Sequence, residues 1–275
     1  MGIATDNFAL TAAADAPFCW QGWRTRVPRE WDLVRLEGGH DAGSAVFTQD
    51  HAPRFVLRWM TAPPRRAASW VEAARRKAGG DAGAVWAAYS AISGRGNVAA
   101  LAAGGGEAVM PFIADTAPEA AAEWAVFGLR CTVPAGFTLV RHALNAGDLS
   151  LHFAATRPAR WLCVREIGPA RVALRRLRLD QWLDRQEVPV RARYRASGEP
   201  GELTLATGVA GLSRRMSRRR RLFFARRLPR EVVTYALHDG LRDRIVIVQG
   251  SGEELVGGVA SGVGRLAEAG VGRAV

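Results

Sequence analysis

Apolar and polar residues alternate with a period of two in several stretches of the chain, and two of these stretches match each other. The segment Val27–Leu33 reads Val-Pro-Arg-Glu-Trp-Asp-Leu, and Val133–Leu139 reads Val-Pro-Ala-Gly-Phe-Thr-Leu. Side chains two residues apart lie on one face of a strand, and proline fits at the entry of a strand because no backbone donor is needed there. Each segment therefore predicts the first strand of a sheet.

The match continues through the next two alternating segments, with a small gap in the first turn, which indicates an internal duplication. Turns that contain Gly43 and Gly147 lead into the second strand of each copy, since glycine readily adopts the positive φ angle of a hairpin turn. The third strands keep the offset: Arg54, Phe55 and Val56 match Arg160, Trp161 and Leu162, and Pro63 matches Pro169. Each copy is therefore predicted to begin with a three-stranded meander.

Helical periodicity follows each meander, in Ala67–Lys77 and in Val172–Gln186. The second copy is predicted to continue with three strands and a closing helix, at Glu202–Thr207, Val232–Leu237, Arg244–Val248 and Glu253–Ala269. The predicted fold class is α+β, with two tandem duplicated units packed with pseudo-two-fold symmetry. Each unit is expected to be a mostly antiparallel sheet with helices on one face. The predicted domains are residues 1–118 and residues 119–275, the second with an arginine-rich insertion at residues 212–230.

The start and the end of this pattern resemble the Mog1/PsbP-like group of α+β sandwich domains. The matching residues are Val27–Trp31 and Val133–Phe137 at the start, and Arg244–Val248 followed by Glu253–Leu266 at the end. The resemblance covers most of the second copy, whereas the tandem duplication and the arginine-rich insertion depart from it. Members of that group mostly bind or help to assemble other proteins and do no chemistry. The resemblance therefore implies a non-catalytic binding function.

The composition is typical of a globular protein, because 48% of the residues are apolar. Cys19, Cys131 and Cys163 are widely separated and form no C-x-x-C pair, which argues against a disulfide framework and against a zinc site. No apolar stretch is long enough to cross a bilayer, and the first residues lack the basic start of a secretory signal. We therefore expect a cytoplasmic protein without a transmembrane segment.

No motif for catalysis or for a cofactor stands out. His40, Asp41, Ser44, Asp50 and His51 include the side chains of a hydrolase triad and of a metal site, but two polar turns around one strand explain the same residues. The second copy carries His142, Asp148 and His152 in the equivalent hairpin, though not at aligned positions. We therefore predict no catalytic residue, no metal and no cofactor, and a hydrolase is the least favoured function.

The formal net charge is +12, and one stretch concentrates the positive charge. Residues 212–230 contain nine arginines and no acidic residue, whereas the corresponding residues 93–106 of the first copy contain one arginine. A genome-wide preference for arginine codons would affect both copies alike. The asymmetry therefore points to a function of this segment.

The arginine-rich segment is predicted to bind a partner. Ser213 and Pro229 would delimit a helix with an apolar stripe and a cationic face. Such a surface suits an acidic protein, and we expect a non-catalytic binding or assembly protein that engages an acidic protein partner. Arginine beside phenylalanine also suits phosphate contacts and base stacking, so an RNA- or DNA-binding subunit is the alternative. A solvated loop and a helix on an anionic membrane are further alternatives. The predicted contact residues are Arg214, Arg215, Arg218, Arg219, Arg220, Arg221, Phe223, Phe224, Arg226 and Arg227.

Overall fold

The computed structural model describes residues 15–61, 63–77, 84–90, 97–103, 109, 113–115, 120–156, 159–204, 209–219 and 228–268. Contacts between Cα atoms divide the chain into two units, Met1–Gly128 and Leu129–Val275. The division falls in a tight turn, where Phe127 and Gly128 have positive φ angles of 50° and 87°.

The first unit is built from antiparallel strands and one described helix. Its elements are β1 Asp15–Trp20, β2 Trp23–Pro28, β3 Asp32–Gly38, β4 Ala42–Gln49, β5 Ala52–Met60, α1 Pro64–Lys77, β6 Ala84–Ser90, β7 Asn97–Ala103, β8 Ala114–Asp115 and β9 Ala122–Val126. Strands β9, β1, β2 and β8 are neighbours in one sheet, and a second sheet has the order β3-β4-β5-β7-β6.

Alternating burial explains why β4 and β5 are strands. Phe47 of β4 and Phe55 and Leu57 of β5 are at most 2% exposed, and they lie on one face of the sheet. Phe18 of β1 packs edge-on against Phe47, with ring centroids 5.1 Å apart. The core of the first unit therefore lies on the face of Phe47, Phe55 and Leu57. The alternate residues of β4 and β5 form the opposite face of the sheet.

The second unit is built on one long antiparallel sheet. Its elements are β10 Leu129–Val133, β11 Thr138–Asn145, β12 Asp148–Thr156, β13 Ala159–Ile167, α2 Ala170–Ala173, α3 Leu179–Gln186, α4 Val188–Arg191, β14 Tyr194–Ala196, β15 Gly201–Thr204, β16 Ala210–Arg218, β17 Glu231–Asp239, β18 Arg244–Gly250 and α5 Glu253–Glu268. The strand order is β11-β12-β13-β18-β17-β16-β14, and β15 also pairs with β16.

Helices cover both faces of this long sheet. Trp182 and Leu183 of α3 pack with Ala236 of β17 in one buried cluster. Helix α5 packs against β17 and β18, and a Cβ added at its Gly257 would lie 3.6 Å from the hydroxyl of Tyr235. Tyr235 and Ala236 are consecutive strand residues and therefore point to opposite faces. The prediction that helices lie on one face is wrong for the second unit.

The predicted α+β class is also wrong, because the described residues form a β-rich fold. Eighteen strands and five helices lie in the described ranges, and α2 and α4 have only four residues each. The largest difference is β16, where the sequence predicted a cationic helix. Leu212 and Met216 are four residues apart and share a face in a helix and in a strand alike. Arg214 lies between them and is 6% exposed, so the true period is two.

The same strand order recurs in the two units. The first unit has the order β3-β4-β5-β7-β6, and the second contains the order β11-β12-β13-β18-β17. In each, the third strand of the meander (β5 or β13) pairs with the last strand in sequence of this set (β7 or β18), which in turn pairs with the strand before it. A bulge interrupts the first strand pair of each meander, between Leu33 and Arg35 in one and between Leu139 and Arg141 in the other. The two sheets therefore share their strand order and the position of this bulge.

The third strands of the two meanders correspond with a shift of one residue from the predicted match. Phe47 lies opposite Phe55, whereas its counterpart Phe153 lies opposite Leu162 and not opposite Trp161. The β12–β13 hairpin has one more residue pair at its tip than the β4–β5 hairpin, which adds two residues. A bulge in β5 adds one residue to the first unit, so the net shift between the third strands is one residue. The predicted match of Phe55 with Trp161 is therefore wrong. A slip of one residue exchanges the two faces of a strand.

Candidate functional site

The arginine-rich segment begins as strand β16, and its first two arginines bind acidic residues of the same unit. The Nη1 atom of Arg214 donates to Asp184 Oδ1 at 2.6 Å and to Glu187 Oε2 at 2.7 Å. Arg215 Nε pairs with Glu231 Oε1 at 3.1 Å, and its Nη2 atom pairs with the first residue of α5. These two guanidinium groups are therefore engaged within the protein.

The next two arginines of this segment bind backbone carbonyl groups. Arg218 donates from Nη1 to the carbonyl of residue 228 at 2.8 Å, and Arg219 donates from Nε to a carbonyl of β14 at 3.3 Å. Ser213 caps no helix, since its hydroxyl donates to a carbonyl of β15 at 3.3 Å. The other predicted contact residues lie outside the described residues: Arg220, Arg221, Phe223, Phe224, Arg226 and Arg227. A contact surface formed by this segment stays a prediction.

Glu187 is the centre of a buried polar network beside Arg214. Its Oε1 atom accepts a hydrogen bond from Thr234 Oγ1 at 2.8 Å, and Gln249 Nε2 donates to the same threonine oxygen at 2.8 Å. Burial lowers the pKa of Arg214, but the hydrogen bonds and charges of Glu187 and Asp184 outweigh burial and raise it. The network satisfies its polar groups internally and ties the end of α3 to β16 and β17.

The histidine and carboxylate residues around β4 are not brought together. His40 and Asp41 precede the strand, and Asp50 and His51 follow it. Eight residues of strand lie between the two pairs, which corresponds to roughly 25 Å. Ser44 lies near the first pair, on β4 itself. The side chains proposed for a hydrolase or for a metal site therefore occupy two ends of one strand.

The three matching residues of the second unit do not converge either. Asp148 and His152 lie on one face of β12, because they are four positions apart in a strand and side chains alternate with a period of two. His142 of β11 lies opposite Leu151 and therefore on the other face. Among the described residues, no group of three His, Cys, Asp or Glu side chains is arranged to hold a metal ion.

One arginine on the face covered by α3 has a carboxylate partner. Arg165 of β13 donates from Nε and Nη2 to the two oxygens of Asp148, at 2.7 and 2.6 Å. Its Nη1 atom donates to Gln186 Oε1 at 3.0 Å. The hydrogen bonds and the charge of Asp148 raise the pKa of Arg165 against the opposing effect of burial. This fork geometry is the preferred way for an arginine to bind a carboxylate.

The first unit has an arginine at the equivalent position without the carboxylate. Arg58 of β5 lies opposite Ser44, as Arg165 lies opposite a serine of β12. Ala42, the first residue of β4, stands where Asp148 is the first residue of β12. Arg58 is exposed, and its side chain forms no hydrogen bond or ion pair with any residue that the structure describes.

Arg58 lines a groove of about 310 Å³ beside α1. Arg35 and Glu37 of β3 contribute to the polar part of the lining, and Arg35 Nε lies 2.8 Å from Glu37 Oε1. This hydrogen bond raises the pKa of Arg35 and lowers the pKa of Glu37. Much of the remaining lining is apolar: Val46, Val56, Trp59, Met60 and Trp70. We call this feature the Arg58 groove.

The corresponding positions of the second unit are polar where the Arg58 groove is apolar. His152 and Cys163 face each other where Val46 and Val56 do in the first unit. The distance from His152 Nε2 to Cys163 Sγ is 3.9 Å. Burial and two nearby arginines lower the pKa of His152, and burial raises the pKa of Cys163 to about 12. Such a thiol is protonated at neutral pH and does not act as a nucleophile.

The Arg58 groove was not predicted from the sequence. The signal was present, because an arginine between Val56 and Met60 places a cation in an otherwise apolar row of β5. The predicted offset between the two copies matches Arg58 with Val164 and not with Arg165. The contrast between the two arginines was therefore not visible in the sequence alignment.

Comparison of the chain with protein-family models, with curated proteins and with solved structures gives no match. The resemblance to the Mog1/PsbP-like group therefore stays a prediction. No helix within the described ranges is long enough and apolar enough to cross a membrane. All three cysteines lie in the described part of the chain, and none of them forms a disulfide.

Proposed function

We propose that the protein is a non-catalytic binding protein that recognises an acidic protein partner through the Arg58 groove. The observation that supports this proposal is the contrast between Arg58 and Arg165. The second unit supplies a carboxylate to its arginine from within, through Asp148. The first unit has Ala42 at that position, which leaves the exposed Arg58 available to the carboxylate of a partner.

The lining of the groove favours an acidic protein over a nucleic acid. Nucleic acids are held by several cations that follow the phosphate backbone. In the Arg58 groove, Arg35 is already paired with Glu37, which leaves Arg58 as the cation among the described lining residues that is available to an anion. Val46 and Val56 provide apolar surface, which a protein side chain can cover. A single arginine with apolar neighbours therefore fits one carboxylate of a protein.

The arginine-rich segment is a second predicted contact for the same acidic partner. Its described arginines hold the second unit together, so this contact rests on residues 220–227. We also propose a cytoplasmic location, because three cysteines without a disulfide are typical of a reducing compartment.

Fluorescence anisotropy with labelled poly-glutamate and with a labelled RNA oligonucleotide tests this function. We expect poly-glutamate to bind, and we expect Arg58→Ala to weaken its binding about tenfold or more, because hydrogen bonds to a charged group contribute roughly 1.5–3 kcal/mol. Arg29→Ala is the matched control, since Arg29 is exposed in a turn and its loss changes the net charge equally.

Three outcomes would contradict the proposal. One is the absence of poly-glutamate binding, and another is an equal loss in Arg58→Ala and Arg29→Ala, which would indicate attraction by net charge alone. The third is tighter, steeply salt-dependent binding of RNA, which would favour the nucleic-acid function instead.

A further inference from the structure

The cation of the Arg58 groove lies between two apolar rows of the sheet. Paired residues on neighbouring strands point to the same face, so the pairs of β4 and β5 define rows. Ser44 and Arg58 form one row, Val46 and Val56 form the next, and Met60 pairs with Ala42 on the other side. Consecutive rows on one face are about 7 Å apart.

The second unit keeps an apolar residue in only one of these rows, because Ile167 stands where Met60 does. On its equivalent face, His152 pairs with Cys163 on one side of Arg165, and Asp148 pairs with Ile167 on the other. The first unit therefore lacks the internal carboxylate and has two valines where the second unit has His152 and Cys163. The two differences occur together on one face.

A ligand that matches this face needs a carboxylate with apolar groups on both sides. In an extended peptide, side chains two residues apart point the same way and are also about 7 Å apart. A groove of about 310 Å³ is at the lower end of the range for ligand pockets and accommodates a few side chains at a time.

We propose that the Arg58 groove recognises an extended segment of the partner in which an aspartate or glutamate has large apolar residues two positions before and two positions after it. This inference rests on the proposed function and specifies its ligand. The side-chain carboxylate binds Arg58 in the manner of Asp148 on Arg165, and the flanking apolar side chains cover the rows of Val56 and Met60.

Titration of the isotope-labelled full-length protein by NMR tests the inference with three peptides of equal length. The first contains Leu-Ser-Asp-Ser-Leu, the second Ala-Ser-Asp-Ser-Ala and the third Leu-Ser-Asn-Ser-Leu, each acetylated and amidated so that the side chain is the source of the carboxylate. We expect the first peptide to bind about tenfold or more tightly than either of the others, because one buried leucine contributes enough for such a factor.

Two substitutions assign these preferences to the groove. Arg58→Ala is expected to remove the preference for aspartate over asparagine. Val56→Thr, which keeps the side-chain shape, is expected to reduce the preference for leucine over alanine. Val34→Thr is the control, since Val34 is 58% exposed on β3 and does not line the groove.

Failure of the inference can be told apart from failure of the proposed function. If poly-glutamate binds through Arg58 but the leucine and alanine peptides bind equally, the inference is overturned and the function stands. If a peptide with a free C-terminal carboxylate in place of aspartate binds as tightly as the first peptide, the side-chain source is overturned. If no acidic probe binds, both proposals fail.

Discussion

At the scale of single residues, the burial of an arginine determines its availability to a partner more than the number of arginines in its neighbourhood does. Arg214 belongs to the densest basic stretch of the chain, yet its side chain is buried and binds Glu187 and Asp184. A buried charge is costly unless it is paired, and removal of one partner leaves the other uncompensated. The local charge density of the sequence therefore overstated what the described arginines of this stretch offer to a partner.

Substitution of Glu187 is expected to destabilise the protein strongly. Glu187→Ala leaves Arg214 with one of its two acidic partners and removes the acceptor of Thr234, so the free energy of unfolding should fall by about 3–5 kcal/mol. Urea unfolding followed by tryptophan fluorescence measures this change. Glu199→Ala, at an exposed loop position, is the control and should cost less than about 0.5 kcal/mol. Equal small losses in both variants would show that the network contributes little.

At the scale of elements, the positions of several strands follow from the sequence, but their faces and registers do not. The predictions of strands at Val232–Leu237 and Arg244–Val248 are confirmed by β17 and β18, because short continuous runs rich in β-branched and apolar residues mark strands that are buried on both faces. The helix at β16 is wrong because Leu212 and Met216 fit both periods. The Arg58 groove could not be predicted, since a bulge and a longer hairpin tip leave no trace in the alternation pattern.

The correspondence between β4 and β12 predicts that one substitution closes the Arg58 groove. Ala42→Asp places a carboxylate where Asp148 binds Arg165, so Arg58 should gain an internal partner. Binding of poly-glutamate, measured by fluorescence anisotropy, should weaken about tenfold, which corresponds to 1.4 kcal/mol. Ala42→Asn has a similar size without the charge and should stay within about twofold of the wild type. Equal affinities of the two variants would contradict the assigned correspondence.

At the scale of the whole molecule, a net charge of +12 says little about where a partner binds. Several arginines of the second unit form ion pairs within it, and Arg244 alone contacts Glu166 and Asp239. The first unit offers fewer cations, but Arg58 is exposed there. The proposed recognition therefore depends on which of the described cations lacks an acidic partner in the structure, and this property follows only from the packing of distant segments.

Two buried groups of the second unit predict how the stability of the protein depends on pH. The pKa of His152 is lowered in the folded state, so the unfolded chain takes up the proton first and stability is lost as the pH falls below about 6.5. The pKa of Cys163 is raised from 9.0 to about 12, so stability is lost as the pH rises from 9 towards 12. Urea unfolding across this pH range measures both effects.

Variants assign these pH effects to their groups. His152→Gln should reduce the loss of stability on the acidic side relative to the wild type, and Cys163→Ser should reduce it on the alkaline side. The difference between each variant and the wild type cancels the contribution of all other titrating groups. Unchanged pH profiles in both variants would show that the two groups titrate alike in the folded and unfolded states.

The pair Ala42 and Asp148 shows how small a genetic change separates the arrangements in the two units. In the genetic code, an alanine codon becomes an aspartate codon through one base change at its second position. A point mutation is therefore sufficient to convert a copy that must find a carboxylate elsewhere into one that carries its own. Selection can therefore exchange one arrangement for the other at a single position, without rebuilding either sheet.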